Sequence, residues 1–138
     1  MKSCVVALTL FLAVAGSAPA ADRPSPEGAR VYIISPADGA VVSSPVKVVF
    51  GLSGMGVAPA GMDKANTGHH HLLIDTALPD LGTPIPSTDN YRHFGGGQTE
   101  AVIDLAPGQH SLQLLFADYT HSPHNPAVIS EQITITVE

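Results

Sequence analysis

VISEQITITV, residues 128–137, is the stretch on which the fold turns. Its second half alternates strictly: Ile133, Ile135 and Val137 share one side, Thr134 and Thr136 the other. A two-residue period marks a strand with one face buried and one face wet. Similar short stretches recur upstream, VYII at 31–34, VKVVFGL at 46–52, HHHLLID at 69–75, QTEAVIDL at 98–105 and QHSLQLLFA at 109–117. Turn chemistry separates them. Ser35-Pro36-Ala37-Asp38-Gly39, Ser43-Ser44-Pro45 and Ala106-Pro107-Gly108 supply the fixed φ of proline and the permissive φ of glycine. No window carries a convincing 3.6-residue period. Short strands at this spacing in a chain of 138 residues predict a single all-β domain over 30–138, an immunoglobulin-like β-sandwich.

Two connections, 53–68 and 76–97, exceed hairpin length, and loops that long are functional or hide small elements. Strand parity then decides where side chains gather. Without a strand inside 76–97, the strand at Gln98 starts at the far end from His69. One short strand there, as between the third and fifth strands of immunoglobulin-type sandwiches, brings loop 53–68, segment 91–97 and loop 118–127 to one end. The second arrangement is the expected one.

The first twenty residues read as a signal peptide. Met1-Lys2-Ser3 is a positive start, CVVALTLFLAVAG at 4–16 is an apolar run short for a bilayer span, and Ala18-Pro19-Ala20 offers small residues for cleavage after Ala20. Cys4 lies too early in that run to be a lipoprotein cysteine. Residues 21–29 are Pro-rich and polar, a disordered lead-in. Export into the periplasm, or beyond it into the medium, is the expectation. Losing Lys2 with the signal takes the formal charge from −6 to −7, and losing Cys4 leaves neither a disulfide nor a thiolate ligand. An apolar fraction of 44% excludes a disordered chain, and no second long hydrophobic run follows the first. Six scattered basic residues make no stripe for nucleic acid.

The chemistry resides in seven histidines, at 69, 70, 71, 93, 110, 121 and 124. Imidazole is the commonest protein metal ligand and a proton carrier near neutral pH. On a strand, His69 and His71 share a face while His70 points away. A pair spaced by two can chelate an ion, with further ligands from His93, His121 or His124, the last two stiffened by Pro123 and Pro126. His70, Met55 and Met62 are further possible ligands; the two methionines precede the histidine strand, and thioethers favour copper(I), so the donor set suits copper or zinc. Asp75, at the end of that strand, is a carboxylate able to orient an imidazole. His110 falls at the opposite end under the expected register, its face running through Leu112, Leu114 and Phe116 into the core.

Each of these residues has a plainer account. His69–His71 could form a hydrogen-bonded cluster that pins the long loops, using each ring as donor and acceptor. His121 and His124 could sit in a solvated Pro-rich loop, His93 could cap a Gly-rich turn, and Met55 and Met62 could pack the loop. Gly95-Gly96-Gly97 lacks the phosphate-loop pattern and reads as a close backbone approach or a bulge. No Gly-x-Ser-x-Gly elbow accompanies the serines, so a hydrolase triad has little support.

Three segments carry a family resemblance: TGHHHLLID at 67–75, HFGGGQTE at 93–100 and PGQHSLQL at 107–114. Together they resemble an uncharacterised bacterial exported family, a domain of unknown function whose members are sometimes labelled rod shape-determining proteins. Residues 31–50, with their Ser-Pro-x-x-Gly turn, are similar to the opening strands of bacterial immunoglobulin-like modules. The resemblance implies export and a sandwich, and it implies no activity. Three functions remain open. One is a periplasmic protein that binds copper or zinc as chaperone, buffer or resistance factor. Another is a non-catalytic envelope or adhesion module, meeting an envelope protein partner, with structural histidines. The third is a copper redox enzyme on a sandwich, by architectural analogy with copper–zinc superoxide dismutase.

Overall fold

The computed structural model describes residues 23–138; the signal peptide expected at 1–20 lies outside them. Among the described residues the chain is all β, with ten strands and no helix. These are β1 (Arg30–Ser35), β2 (Val41–Val42), β3 (Val46–Ser53), β4 (Gly56–Val57), β5 (Thr67–Ile74), β6 (Tyr91–His93), β7 (Glu100–Ile103), β8 (Gly108–Ala117), β9 (Pro123–Ile129) and β10 (Ile133–Val137). They form two open sheets. The smaller runs β1-β3-β7; the larger runs β2-β10-β8-β5-β4, with β6 on β5 and β9 on β8.

The alternation that marked the strands packs the sheets together. Val31, Val48, Phe50 and Ile103 from the smaller sheet meet Leu72, Leu112, Leu114, Phe116 and Ile135 from the larger in one core. Each such side chain contributes about 1.5–3 kcal/mol by leaving water. β5 departs from simple alternation, since all but its first residue is buried. Its Leu72 and Ile74 face the other sheet, while Leu73 lies under a second cluster with Ile85, Leu115, Ala117 and Tyr91. The 76–90 connection, carrying Ile85, therefore roofs the outer face of β5. His69 and His71 lie on that roofed side.

The long connections contain small strands. β6 fills the expected place inside 76–97 and pairs antiparallel with β5, His71 opposite His93. β4 inside 53–68 pairs parallel with β5. The three loops meet as the parity argument requires. Ala60 N donates to Gly95 O at 2.8 Å, Gly61 N to Tyr119 O at 3.0 Å, and Ile85 N to His121 O at 2.8 Å.

Two expectations need correction. The stretch 128–137 is not one strand: β9 ends at Ile129 and β10 begins at Ile133. Both pair with β8, but two residues separate Leu112 from Leu115 where three separate their partners Ile133 and Ile129, a bulge of one residue. Ser130 spans it, its hydroxyl accepting Leu114 N at 2.8 Å. The expected disordered lead-in over 21–29 is held to the domain from Arg23 onward. Pro24 bridges Asn125, Ser25 Oγ donates to Pro126 O at 2.7 Å, and Arg23 pairs with Asp63 at 2.9 Å.

Candidate metal centre

Strand geometry places the first two imidazoles. His69 and His71 project from the same face of β5, both essentially inaccessible, with ring centroids 4.8 Å apart. His93 arrives because β6 pairs with β5 directly opposite His71, and it sits on the exposed side. His121 comes from the loop after β8. Its Nδ1 lies 3.1 Å from His69 Nε2, and its ring centroid is 4.6 Å from that of His93. One ring nitrogen from each of the four falls within 4.8 Å of the others.

The turn that carries His121 is built for the purpose. His121 has φ 67°, a left-handed conformation uncommon for a residue with a β-carbon. Its neighbours enforce it. Asp118 is buried, and its Oδ1 accepts from Thr120 N, Thr120 Oγ1 and Ser122 N at 2.7–3.0 Å. His121 N also donates to Asp118 O, and Asp118 N to Ser122 O. Asp118 was not singled out from the sequence. The Asp-x-Thr-x-Ser spacing at 118–122 is the available signal, since a short carboxylate readily bonds backbone N–H groups two and four residues on.

The remaining sequence candidates lie elsewhere. His70 points into the inter-sheet core between Phe50 and Phe116, ring centroids 5.1 and 5.0 Å away. His124 stacks on Phe116 at 6.0 Å, outside the group of four. Met55 packs against the core and Met62 is exposed. Asp75 does not approach the cluster. It lies four residues beyond His71, about 13 Å along a strand, and takes His110 Nδ1 at 2.6 Å on its Oδ2. His110 thus occupies the opposite end, as the parity argument places it.

Burial favours the neutral form of His69, His71 and His93. Burial pushes His69 down to about 4, with the His93 and His121 rings adding to it. Burial, and then His69, His93 and His121, push His71 to about 3, and burial followed by His121 lowers His93. A neutral imidazole with a free lone pair is the form that binds metal. Nδ1 of His69 and Nδ1 of His71 are buried with no hydrogen-bond partner. The arrangement fits an ion. Nitrogens about 2.0–2.1 Å from a tetrahedral metal stand roughly 3.4 Å apart, so small ring rotations would close the set. Four imidazoles and no thiolate suit copper or zinc rather than calcium or magnesium.

Searches of curated proteins and of solved structures found no match. A family model does match residues 48–138, a span that holds all four clustered histidines and Asp118. By that match the chain belongs to the family described as Domain of unknown function (DUF4399).

Proposed function

We propose that this protein is an exported metal-binding protein that holds a copper ion, or a zinc ion, on His69, His71, His93 and His121. In this reading it serves the periplasm as chaperone, buffer or resistance factor, residues 1–20 are its signal peptide, and the two-sheet domain is an immunoglobulin-like sandwich. One observation carries the reading: four imidazole nitrogens converge within 4.8 Å on a roofed face where burial keeps the two strand histidines neutral. A metal ion would take up the lone pairs that these neutral rings turn toward one another. Bound there, the ion would be a divalent or monovalent centre with nitrogen donors, and His93 on the exposed side leaves it reachable from solvent.

A second reading draws on the His69 Nε2–His121 Nδ1 hydrogen bond, which ties loop to strand without an ion. In it the cluster is structural and the domain is a non-catalytic envelope module. Elemental analysis of the untagged protein, followed by calorimetric titration with Cu(II) and Zn(II), separates the two. The metal reading expects stoichiometric binding that weakens as pH falls toward the lowered values of the strand histidines, about 4 for His69 and about 3 for His71. Equal, negligible heats for wild type and for the His69→Ala/His71→Ala variant would leave the structural reading standing alone.

A further inference from the structure

Gly95-Gly96-Gly97 follows His93 by one residue, and the three glycines do different things. Gly97 has φ 82°, a turn conformation that favours glycine. Gly95 does not lie in that region, so its backbone would accept any L-residue. Its constraint is one of space. A β-carbon on Gly95 would overlap His93 Cε1 and stand 2.5 Å from His93 Nε2, with Ala60 Cβ 3.2 Å away. The imidazole of His93 therefore occupies the place where a side chain of residue 95 would be.

We propose that Gly95 is the positioning residue of the metal centre: its missing side chain is the seat of the His93 ring and makes His93 the fourth ligand. The inference rests on the metal reading above and extends it to a residue outside the ligand set. Its force comes from asking what yields when a methyl group is added. The Gly95 backbone is pinned, since its carbonyl accepts Ala60 N at 2.8 Å. The turn around it is pinned as well, by Phe94 N on His70 O at 3.1 Å and Gly97 N on Phe94 O at 3.3 Å. His93, in contrast, is the exposed end of a side chain with two rotatable bonds. The ring yields and the fold stays. Gly68 shows the opposite case, because a β-carbon there would overlap the main-chain carbonyl of Ala117 and force β5 and β8 apart.

The test is a double-mutant cycle on the untagged protein, with Zn(II) and Cu(II) as probes. Gly95→Ala should melt near the wild-type temperature without metal, yet bind each ion about ten- to a hundredfold more weakly, as loss of a ligand-orienting residue typically does. His93→Ala should show a loss of at least that size. Gly95→Ala/His93→Ala should bind no worse than His93→Ala alone, because the added methyl then enters vacated space. Gly96→Ala, whose β-carbon meets the flexible Gln98 side chain at 3.1 Å, should bind like wild type. On the Cu(II) form, electron paramagnetic resonance should count one fewer coupled nitrogen for Gly95→Ala. Wild-type affinity in Gly95→Ala, or a further loss in the double variant, overturns the inference while the metal reading stands. Absence of binding in the wild type overturns both. If Gly95→Ala proves unstable, recovery of its melting temperature in the double variant still assigns the clash to His93, and failure to recover refutes it.

Discussion

His71 and His110 sit on adjacent strands of one sheet, and the sheet treats them in opposite ways. His110 donates from Nδ1 to Asp75 Oδ2 at 2.6 Å and from Nε2 to Ala106 O at 2.8 Å. Both partners accept and neither donates, so the ring satisfies them together only as the doubly protonated cation. The Asp75 carboxylate first, and then the Ala106 carbonyl, raise its pKa. His71 faces three other imidazoles and no carboxylate ligand, and burial drives it to about 3. Residue type alone therefore says little. An imidazole ringed by acceptors is drawn toward its charged form; a buried one ringed by imidazoles is held toward its neutral form, with its lone pair still to be used.

The sharpest way to break this contrast is to delete each kind of histidine and titrate metal. His69→Ala/His71→Ala removes the two rigid strand ligands and should weaken Cu(II) and Zn(II) binding by more than about a hundredfold. His110→Ala should leave affinity within about twofold, since its ring lies at the other end of the larger sheet and faces no member of the cluster. Calorimetry on the two variants checks both statements. Comparable losses would mean that the two ends are coupled or that binding occurs at scattered surface histidines.

Much of this contrast is legible in the sequence. Alternation alone puts His69 and His71 on one face, and one inserted strand suffices to bring His93 and His121 beside them and to send His110 away. The errors have local causes. Asp75 is close to His71 in sequence, but a strand carries it steadily farther at about 3.3 Å per residue. Asp118 instead reaches the cluster through a tight turn, where sequence proximity to His121 does mean spatial proximity. That β5 is buried on both faces could not be read from HHHLLID, because its roof depends on Ile85 in a connection with no strand signal. The bulge between β9 and β10 shows only in the folded chain, since adjacent Val128 and Ile129 leave the phase open in the sequence. Buried positions run Val128 and Ser130, then Ile135 and Val137, a shift of phase inside one apparently continuous stretch.

Acid should distinguish the two regions next. His69, His70 and His71 are pushed down to about 4, 4 and 3, so the folded apo protein resists protons that the unfolded chain binds from about pH 6.5 downward. Their neutral-state stability is complete above that value and is lost as pH falls toward the lowered ones. Each such group costs up to about 1.4 kcal/mol per pH unit within that window. Denaturant unfolding of the apo protein between neutral and mildly acid pH measures the slope. Metal at about a hundred times its dissociation constant should add roughly 2.7 kcal/mol at neutral pH, and less as acid competes for the nitrogens. A flat apo profile would show that the cluster histidines ionise freely, against the burial argument.

Asp118 gives a smaller and more local test. Asp118→Ala strips the acceptor from Thr120 N, Thr120 Oγ1 and Ser122 N, and should cost about 1–3 kcal/mol through buried donors left unpaired. It should also weaken metal binding, because the left-handed backbone of His121 loses its support. Asp118→Asn keeps an oxygen acceptor in the same place, so fold and affinity should be largely retained. Thermal melts and titrations of the pair check this ordering. Equal affinity loss in Asn and Ala would assign Asp118 an electrostatic role rather than the geometric one argued here.

The smallest effect belongs to the charged end, and its sign is opposite. Because the His110 pKa is raised in the folded state, its pairing with Asp75 contributes fully below pH about 6.5 and is lost as pH rises through the raised value. Asp75 is 41% exposed, so solvent screens the pair and its worth stays below about 1 kcal/mol. Asp75→Asn removes the carboxylate while an amide oxygen can still take Ser111 N, which Asp75 Oδ1 accepts at 2.8 Å. The His110 ring should then titrate nearer the ordinary histidine value, by proton NMR of its side chain, and the alkaline loss of stability should flatten. Metal affinity should not change. A downward shift of the His110 midpoint together with an unchanged cluster would confirm that one sheet holds two separately tuned kinds of histidine. An unshifted midpoint would mean that the Ala106 carbonyl alone holds the charge, and the contrast would then rest on a backbone acceptor instead of on Asp75.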